Sequence, residues 1–128
     1  MGGYATWEIA AKCPSLFAAI AVVSGYHFPE RRERLVAALC GMPIFVVHSH
    51  GDECCKFHEE VPLWRVLSRS GNPPLMKNHA TGGHGSCWAH SCENDILLYD
   101  ILLDHLVSPD GHAAEEEGEL DEEEDGEQ

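Results

Sequence analysis

Two segments of the chain carry residues that could do chemistry together. Asp52 follows a run of four apolar residues, 44–47, and the polar turn that closes it, while His84 lies about thirty residues later among glycines. A short apolar run between a proline and a polar turn predicts a strand buried on both faces. Parallel strands deliver the loops that follow them to one edge of the sheet. We therefore expect Asp52 and His84 on neighbouring loops, as the acid and the base of a catalytic triad.

Each residue would have a defined role in such a triad. His84 would take the proton of a nucleophile and return it to the leaving group, and Asp52 would fix the imidazole tautomer and stabilise the imidazolium. A plainer interpretation makes His84 an exposed loop histidine and Asp52 a turn-forming residue, with Glu53 as a competing acid. The residues alone leave both interpretations open.

The same segments also offer the ligands of a metal site. Histidine, cysteine and aspartate cluster in two places: His48, His50, Asp52, Cys54, Cys55 and His58, then His84, Cys87, His90 and Cys92. Such ligands could hold zinc, but neither cluster has the paired Cys-x-x-Cys spacing of a structural finger. A zinc-binding module is therefore the second interpretation, and the first expects no metal and no cofactor.

Alternating helix and strand patterns predict the elements that position these loops. Helices are predicted over residues 4–12, 29–40 and 57–70, with a last helix that starts at Ser86 or Cys87 and ends before Pro109. Strands are predicted over residues 16–23, 43–48 and 73–79. This alternation favours an α/β fold with a mostly parallel sheet flanked by helices.

Composition and charge exclude several classes of protein. The net charge is −14, but ten of the 22 acidic residues lie between Glu115 and Glu127. No basic patch suggests nucleic acid, and the longest apolar run, residues 16–23, is far shorter than the roughly 20 residues of a membrane helix. No signal peptide is visible, so we expect reduced cysteines and a cytoplasmic location.

Four segments resemble a known family. Residues 1–7 (Met-Gly-Gly-Tyr-Ala-Thr-Trp) are similar to the segment after a nucleophile elbow, and residues 13–19 with Ser24-Gly25 resemble the bridge into and the exit from the next strand. Residues 48–52 (His-Ser-His-Gly-Asp) resemble a His-Gly-x-x-Asp motif, with a departure at Ser49. Residues 83–88 (Gly-His-Gly-Ser-Cys-Trp) resemble a Gly-His-x-x-Trp motif. In this order they resemble the C-terminal half of α/β-hydrolase serine esterases of the phospholipase/carboxylesterase and dienelactone-hydrolase-like group.

The resemblance implies a serine nucleophile that the chain does not contain. The elbow needs Gly-x-Ser-x-Gly, no such pattern occurs in the sequence, and the chain starts at the position after the serine. Met1 occupies the position whose backbone N–H donates to the oxyanion in the family. We therefore expect a partial hydrolase domain over residues 1–107, followed by an acidic disordered tail over residues 108–128.

The functional expectation follows from the resemblance. The complete protein would hydrolyse an ester or thioester of a small-molecule acyl substrate, with Asp52 and His84 as catalytic residues, without nucleic acid and without a membrane span. The chain by itself would be inactive because it lacks the serine. Besides the zinc-binding module, the other alternative is a non-catalytic remnant or interaction protein, and the oligomeric state stays open.

Overall fold

The computed structural model describes residues 1–94 together with Tyr99, Leu102 and Leu103. The elements in chain order are α1 (Gly2–Lys12), β1 (Ile20–Val23), α2 (Arg32–Ala38), β2 (Ile44–Ser49), α3 (Phe57–Arg69), β3 (Leu75–His79) and α4 (His84–Asn94). Short 3-10 turns at Pro14–Leu16 and Pro29–Arg31 precede β1 and α2. The predicted acidic tail, residues 108–128, lies outside the described residues. No described helix has the length and apolar character needed to cross a bilayer.

The described strands form one parallel sheet in the order β1-β2-β3. Val46 at the centre of β2 pairs with Val22 on one side and with Met76 on the other. Every residue of β2 is buried, as the apolar run predicted. The parallel sheet with flanking helices confirms the expected α/β class.

Alternate residues of β2 face two separate apolar clusters. Ile44 and Val46 pack in a cluster with residues of α1, α2 and α3, including Trp7 of α1. Phe45 and Val47 point to the opposite face, where Cys87 of α4 is buried against them. Helices therefore cover both faces of the sheet, which explains why its central strand carries no exposed residue.

Several element boundaries differ from the sequence prediction, and those of β1 and α4 bear on the site. The strand predicted over residues 16–23 starts only at Ile20, and Leu16 is 74% exposed. Ile20 pairs with Ile44, the first residue of β2, so the residues before Ile20 lie beyond the end of their partner strand. The last helix starts at His84, two or three residues before the predicted start at Ser86 or Cys87, and its predicted end falls outside the described residues.

A buried polar network joins three segments of the larger cluster. The Glu60 carboxylate of α3 accepts hydrogen bonds from Trp7 Nε1 at 3.1 Å and from His27 Nδ1 at 2.6 Å. Arg32 Nε donates to His27 Nε2 at 3.0 Å. Because a guanidinium can only donate, His27 Nε2 is the acceptor and Nδ1 carries the ring proton. Trp7, His27 and Glu60 are at most 1% exposed, so each polar group depends on its partners for hydrogen bonding.

Glu60→Ala should strongly destabilise the fold, because it leaves Trp7 Nε1 and His27 Nδ1 buried without their acceptor. Removing one partner of a buried network of this kind costs roughly 3–5 kcal/mol. Glu59→Ala is the matched control, since the neighbouring carboxylate is exposed, and surface changes usually stay within about 0.5 kcal/mol. Urea unfolding followed by tryptophan fluorescence measures both, and equal free energies of unfolding would contradict the role assigned to the network.

Candidate active site

The loops after β2 and β3 leave the same edge of the sheet and are bonded to each other. His50 N–H donates to the His79 carbonyl at 2.9 Å, and the Ser49 hydroxyl contacts the carbonyl of Gly82. A Cβ atom on Gly51 would lie 2.6 Å from the Gly82 carbonyl oxygen. Only glycine therefore lets the two loops approach this closely.

Asp52 lies at the centre of this junction, with a side chain removed from solvent. Its Oδ1 accepts the backbone N–H of Cys54 at 2.9 Å and that of Cys55 at 2.8 Å. Its Oδ2 accepts a hydrogen bond from His84 Nδ1 at 2.9 Å. The carboxylate thus organises its own loop with one oxygen and contacts the histidine of the next loop with the other.

The environment of Asp52 favours its ionised form. Burial by itself would raise the pKa of the carboxyl group. The hydrogen bonds from Cys55 N–H, His84 and Cys54 N–H outweigh burial and hold the pKa of Asp52 below its usual value. Asp52 is therefore a carboxylate at neutral pH, and a carboxylate can only accept hydrogen bonds.

The bond to Asp52 determines the tautomer of His84. His84 Nδ1 must donate to the carboxylate, so in the neutral ring Nε2 carries the lone pair. No described residue forms a hydrogen bond with Nε2, and about a third (34%) of the His84 side chain is accessible to solvent. The ring is thus oriented by a buried acid on one side and presents a basic nitrogen on the other.

Ser24 holds the first residue of α4 in place, a contact that sequence reasoning did not find. The residue follows β1, is buried, and adopts a left-handed φ of 50°, which non-glycine residues rarely adopt. Its hydroxyl donates to the carbonyl of His84 at 3.2 Å. Sequence reasoning assigned the Ser24-Gly25 pair only to a strand exit, because the contact links residues sixty positions apart.

His48 also lies next to Asp52, a contact that the sequence did not predict. The side chain is fully buried, its Nε2 donates to the Cys55 carbonyl at 2.6 Å, and the same nitrogen lies 3.5 Å from Asp52 Oδ2. His48 therefore supports the loop that wraps the carboxylate. The sequence signal for this burial was the position of His48 at the end of the predicted buried strand.

The remaining predicted site residues lie around this pair. Glu53 is exposed, and its carboxylate lies next to Gly83. Burial and the charge of Asp52 raise the pKa of the Cys55 thiol, and the positive charge of the N-terminal amine at Met1 partly offsets this effect. The start of α1 is therefore electrostatically coupled to the acid's loop.

Cavities of about 390 and 410 Å³ lie beside α1, away from Asp52 and His84. The larger one runs along β1 and is lined by apolar residues including Phe17, Ile20 and Ala21. Asp52 and His84 line neither of these cavities.

The predicted metal ligands come together in one group among the described residues. Asp52, Cys54 and His84 each offer a ligand atom, and these atoms lie within 4.8 Å of one another. Cys54 is exposed, whereas Asp52 is buried. This group shares two residues with the acid–histidine pair.

No protein-family description and no curated protein sequence matches the chain. Solved structures match it with high probability. A thermostable esterase is 25% identical with a TM-score of 0.64, covering 78% of this chain and 28% of that one. An acylaminoacyl peptidase from Pyrococcus horikoshii is 18% identical with a TM-score of 0.64, covering 91% of this chain and 24% of that one. Acyl-protein thioesterase 2 from Zea mays is 16% identical with a TM-score of 0.56, covering 80% of this chain and 53% of that one.

These structures share the α/β-hydrolase fold. The described part of this chain accordingly has the architecture of the C-terminal portion of an α/β-hydrolase. The chain spans about a quarter to a half of the length of the structures it matches.

Acid should destabilise the protein through Asp52. Its pKa is lower in the folded state, so the stability it contributes is present above the pKa of an unfolded aspartate, about 3.9, and is lost as the pH falls through the lower folded value. In Asp52→Asn the free energy of unfolding should be lower at pH 6 and should fall less between pH 5 and pH 3. Urea unfolding across this range measures the slopes.

Glu53→Gln is the control for this comparison, because it removes a neighbouring charge without removing a hydrogen bond to the loop amides. It should keep the acid slope of the original chain. An acid slope in Asp52→Asn as steep as that of the original chain would contradict the assignment.

Proposed function

We propose that this chain supplies the acid and the base of a serine hydrolase that cleaves an ester, thioester or similar acyl bond. The observation that carries the proposal is the 2.9 Å bond between buried Asp52 and His84 Nδ1, at the edge of the sheet where parallel α/β proteins bind substrates. The esterase, peptidase and thioesterase folds of the structural neighbours agree with acyl transfer as the reaction type.

The proposed mechanism uses the geometry of His84. Its Nε2 lone pair removes the proton of a serine hydroxyl as that oxygen attacks the substrate carbonyl, and the imidazolium then protonates the leaving group. Asp52 stabilises the imidazolium and holds the ring in the productive tautomer. In deacylation Nε2 removes a proton from water as the water oxygen attacks the acyl-enzyme, and the imidazolium then protonates the departing serine oxygen.

The serine in this proposal immediately precedes Met1 in a longer chain. There the N-terminus of α1 would follow the nucleophile, and the nitrogen of Met1 would be a backbone N–H that donates to the oxyanion. The close packing of Gly3 in α1 against Gly25 supports this placement, because the neighbouring Ser24 donates to the His84 carbonyl. The 128 residues alone are proposed to be catalytically inactive.

Labelling with a fluorophosphonate tests the proposed nucleophile. The 128-residue chain should not label and should show no burst with p-nitrophenyl acetate. A chain translated from coding sequence extended upstream of Met1 should label stoichiometrically at the serine before Met1. Stoichiometric labelling of the 128-residue chain at Ser24 or Ser86 would contradict the assignment. Ser24→Ala and Ser86→Ala identify the labelled residue, because the variant that lacks it no longer gains the mass of the label.

The same extended chain tests the two catalytic residues. Asp52→Asn should lower kcat by about 10⁴-fold because the wrong tautomer of His84 then predominates. His84→Gln should lower kcat by at least about 10²-fold because no base remains. Glu53→Gln, the neighbouring carboxylate, should leave kcat within about two-fold. Retention of full activity in Asp52→Asn or His84→Gln would indicate that the pair is structural.

A further inference from the structure

We propose that Asp52, Cys54 and His84 form a binding site for Zn²⁺ or another thiophilic divalent cation. One oxygen, one sulfur and one nitrogen ligand lie within 4.8 Å of one another. The ligand atoms around a tetrahedral zinc are separated by roughly 3.4 Å, given zinc–ligand bonds of about 2.0–2.3 Å. The three ligand atoms therefore need only small shifts to coordinate the ion.

The Cys54 thiol is the ligand that can move most freely. Its backbone is fixed, because Cys54 N–H donates to Asp52 Oδ1 at 2.9 Å, but the side chain is exposed to solvent. Rotation about one side-chain torsion moves the thiol without disturbing the loop. Asp52 Oδ2 and His84 Nδ1 lie 2.9 Å apart, and the ion would replace the hydrogen bond between them.

The donor set determines which ion fits. A thiolate with an imidazole and a single carboxylate suits zinc or cobalt, whereas magnesium and calcium prefer several oxygen ligands. Three protein ligands leave a fourth tetrahedral position for water. The ion can enter from solvent, since Cys54 is exposed and His84 is partly exposed. On binding, the Cys54 thiol releases its proton to solvent, and the ring proton of His84 shifts from Nδ1 to Nε2 by exchange with solvent, so that the thiolate and Nδ1 can both coordinate the ion.

Occupancy of this site would inhibit the hydrolase. The ion would take Asp52 and His84, which the proposed reaction needs for proton transfer, so zinc and acyl chemistry would exclude each other. This regulatory consequence rests on the proposed function, whereas the metal site itself does not. Cys54 would then make the acid–histidine pair sensitive to free zinc.

The zinc affinity of the reduced 128-residue chain, measured by competition with a chromophoric chelator, tests the site. Cys54→Ser should weaken zinc binding by at least ten-fold, because a neutral hydroxyl replaces the thiolate ligand. Cys55→Ser is the matched control, since it removes the adjacent thiol, which is not a member of the group. Substitution with Co²⁺ should give a thiolate-to-cobalt charge-transfer band that Cys54→Ser abolishes and Cys55→Ser retains.

Equal affinities of the original chain and Cys54→Ser would overturn the site, as would an equal loss in both serine variants. His84→Gln gives a second measurement, and unchanged zinc binding in that variant would also overturn it.

Inhibition is measured separately in the upstream-extended chain, relative to the metal-free activity of each variant. Zinc should inhibit Cys55→Ser at least ten-fold more strongly than Cys54→Ser, and EDTA should reverse the effect. Equal inhibition of the two variants would overturn the regulatory role. An extended chain without activity would overturn the proposed function, whereas the chelator competition would still decide whether the metal site exists.

Discussion

The candidate site depends on the buried carboxylate of Asp52. A charge removed from water is stable only when hydrogen bonds replace its hydration, and here two loop amides and the imidazole of His84 do so. The two amides fix the loop after β2, and the imidazole fixes the ring that begins α4. Loss of this charge would therefore loosen both loops at once.

The surrounding structure holds the loops that follow β2 and β3 close together. β2 and β3 are adjacent and parallel, which brings their following loops to one edge. The close approach of Gly51 to Gly82 and the bond from Ser24 to the His84 carbonyl then position the histidine from two sides. The left-handed backbone of Ser24 is a strained conformation at a position that contacts the candidate site, as strained residues often do.

The chain combines this ordered edge with exposed apolar surface elsewhere. In the described residues β1 pairs only with β2, and the apolar cavity along β1 lies beside exposed Ile9 and Phe17. The structural neighbours are two to four times longer than the part they share with this chain.

Sequence patterns correctly predict three features of the protein: the α/β class, the buried strand β2 and the neighbouring loops that carry Asp52 and His84. These features follow from local patterns, because an apolar run between turn residues specifies a buried strand, and parallel strands send their loops to one edge. The length of β1 was not determined locally, since it depends on where its partner β2 begins.

The contacts between distant side chains depend on the tertiary structure. It joined Ser24 to His84, placed Cys54 beside the acid–histidine pair and buried Glu60 with Trp7 and His27. A glutamate on the same helical face as Leu63 and Leu67 was a signal for that burial, but its partners lie 33 and 53 residues away. Such contacts depend on strand order, register and helix packing, and a local sequence pattern contains none of these.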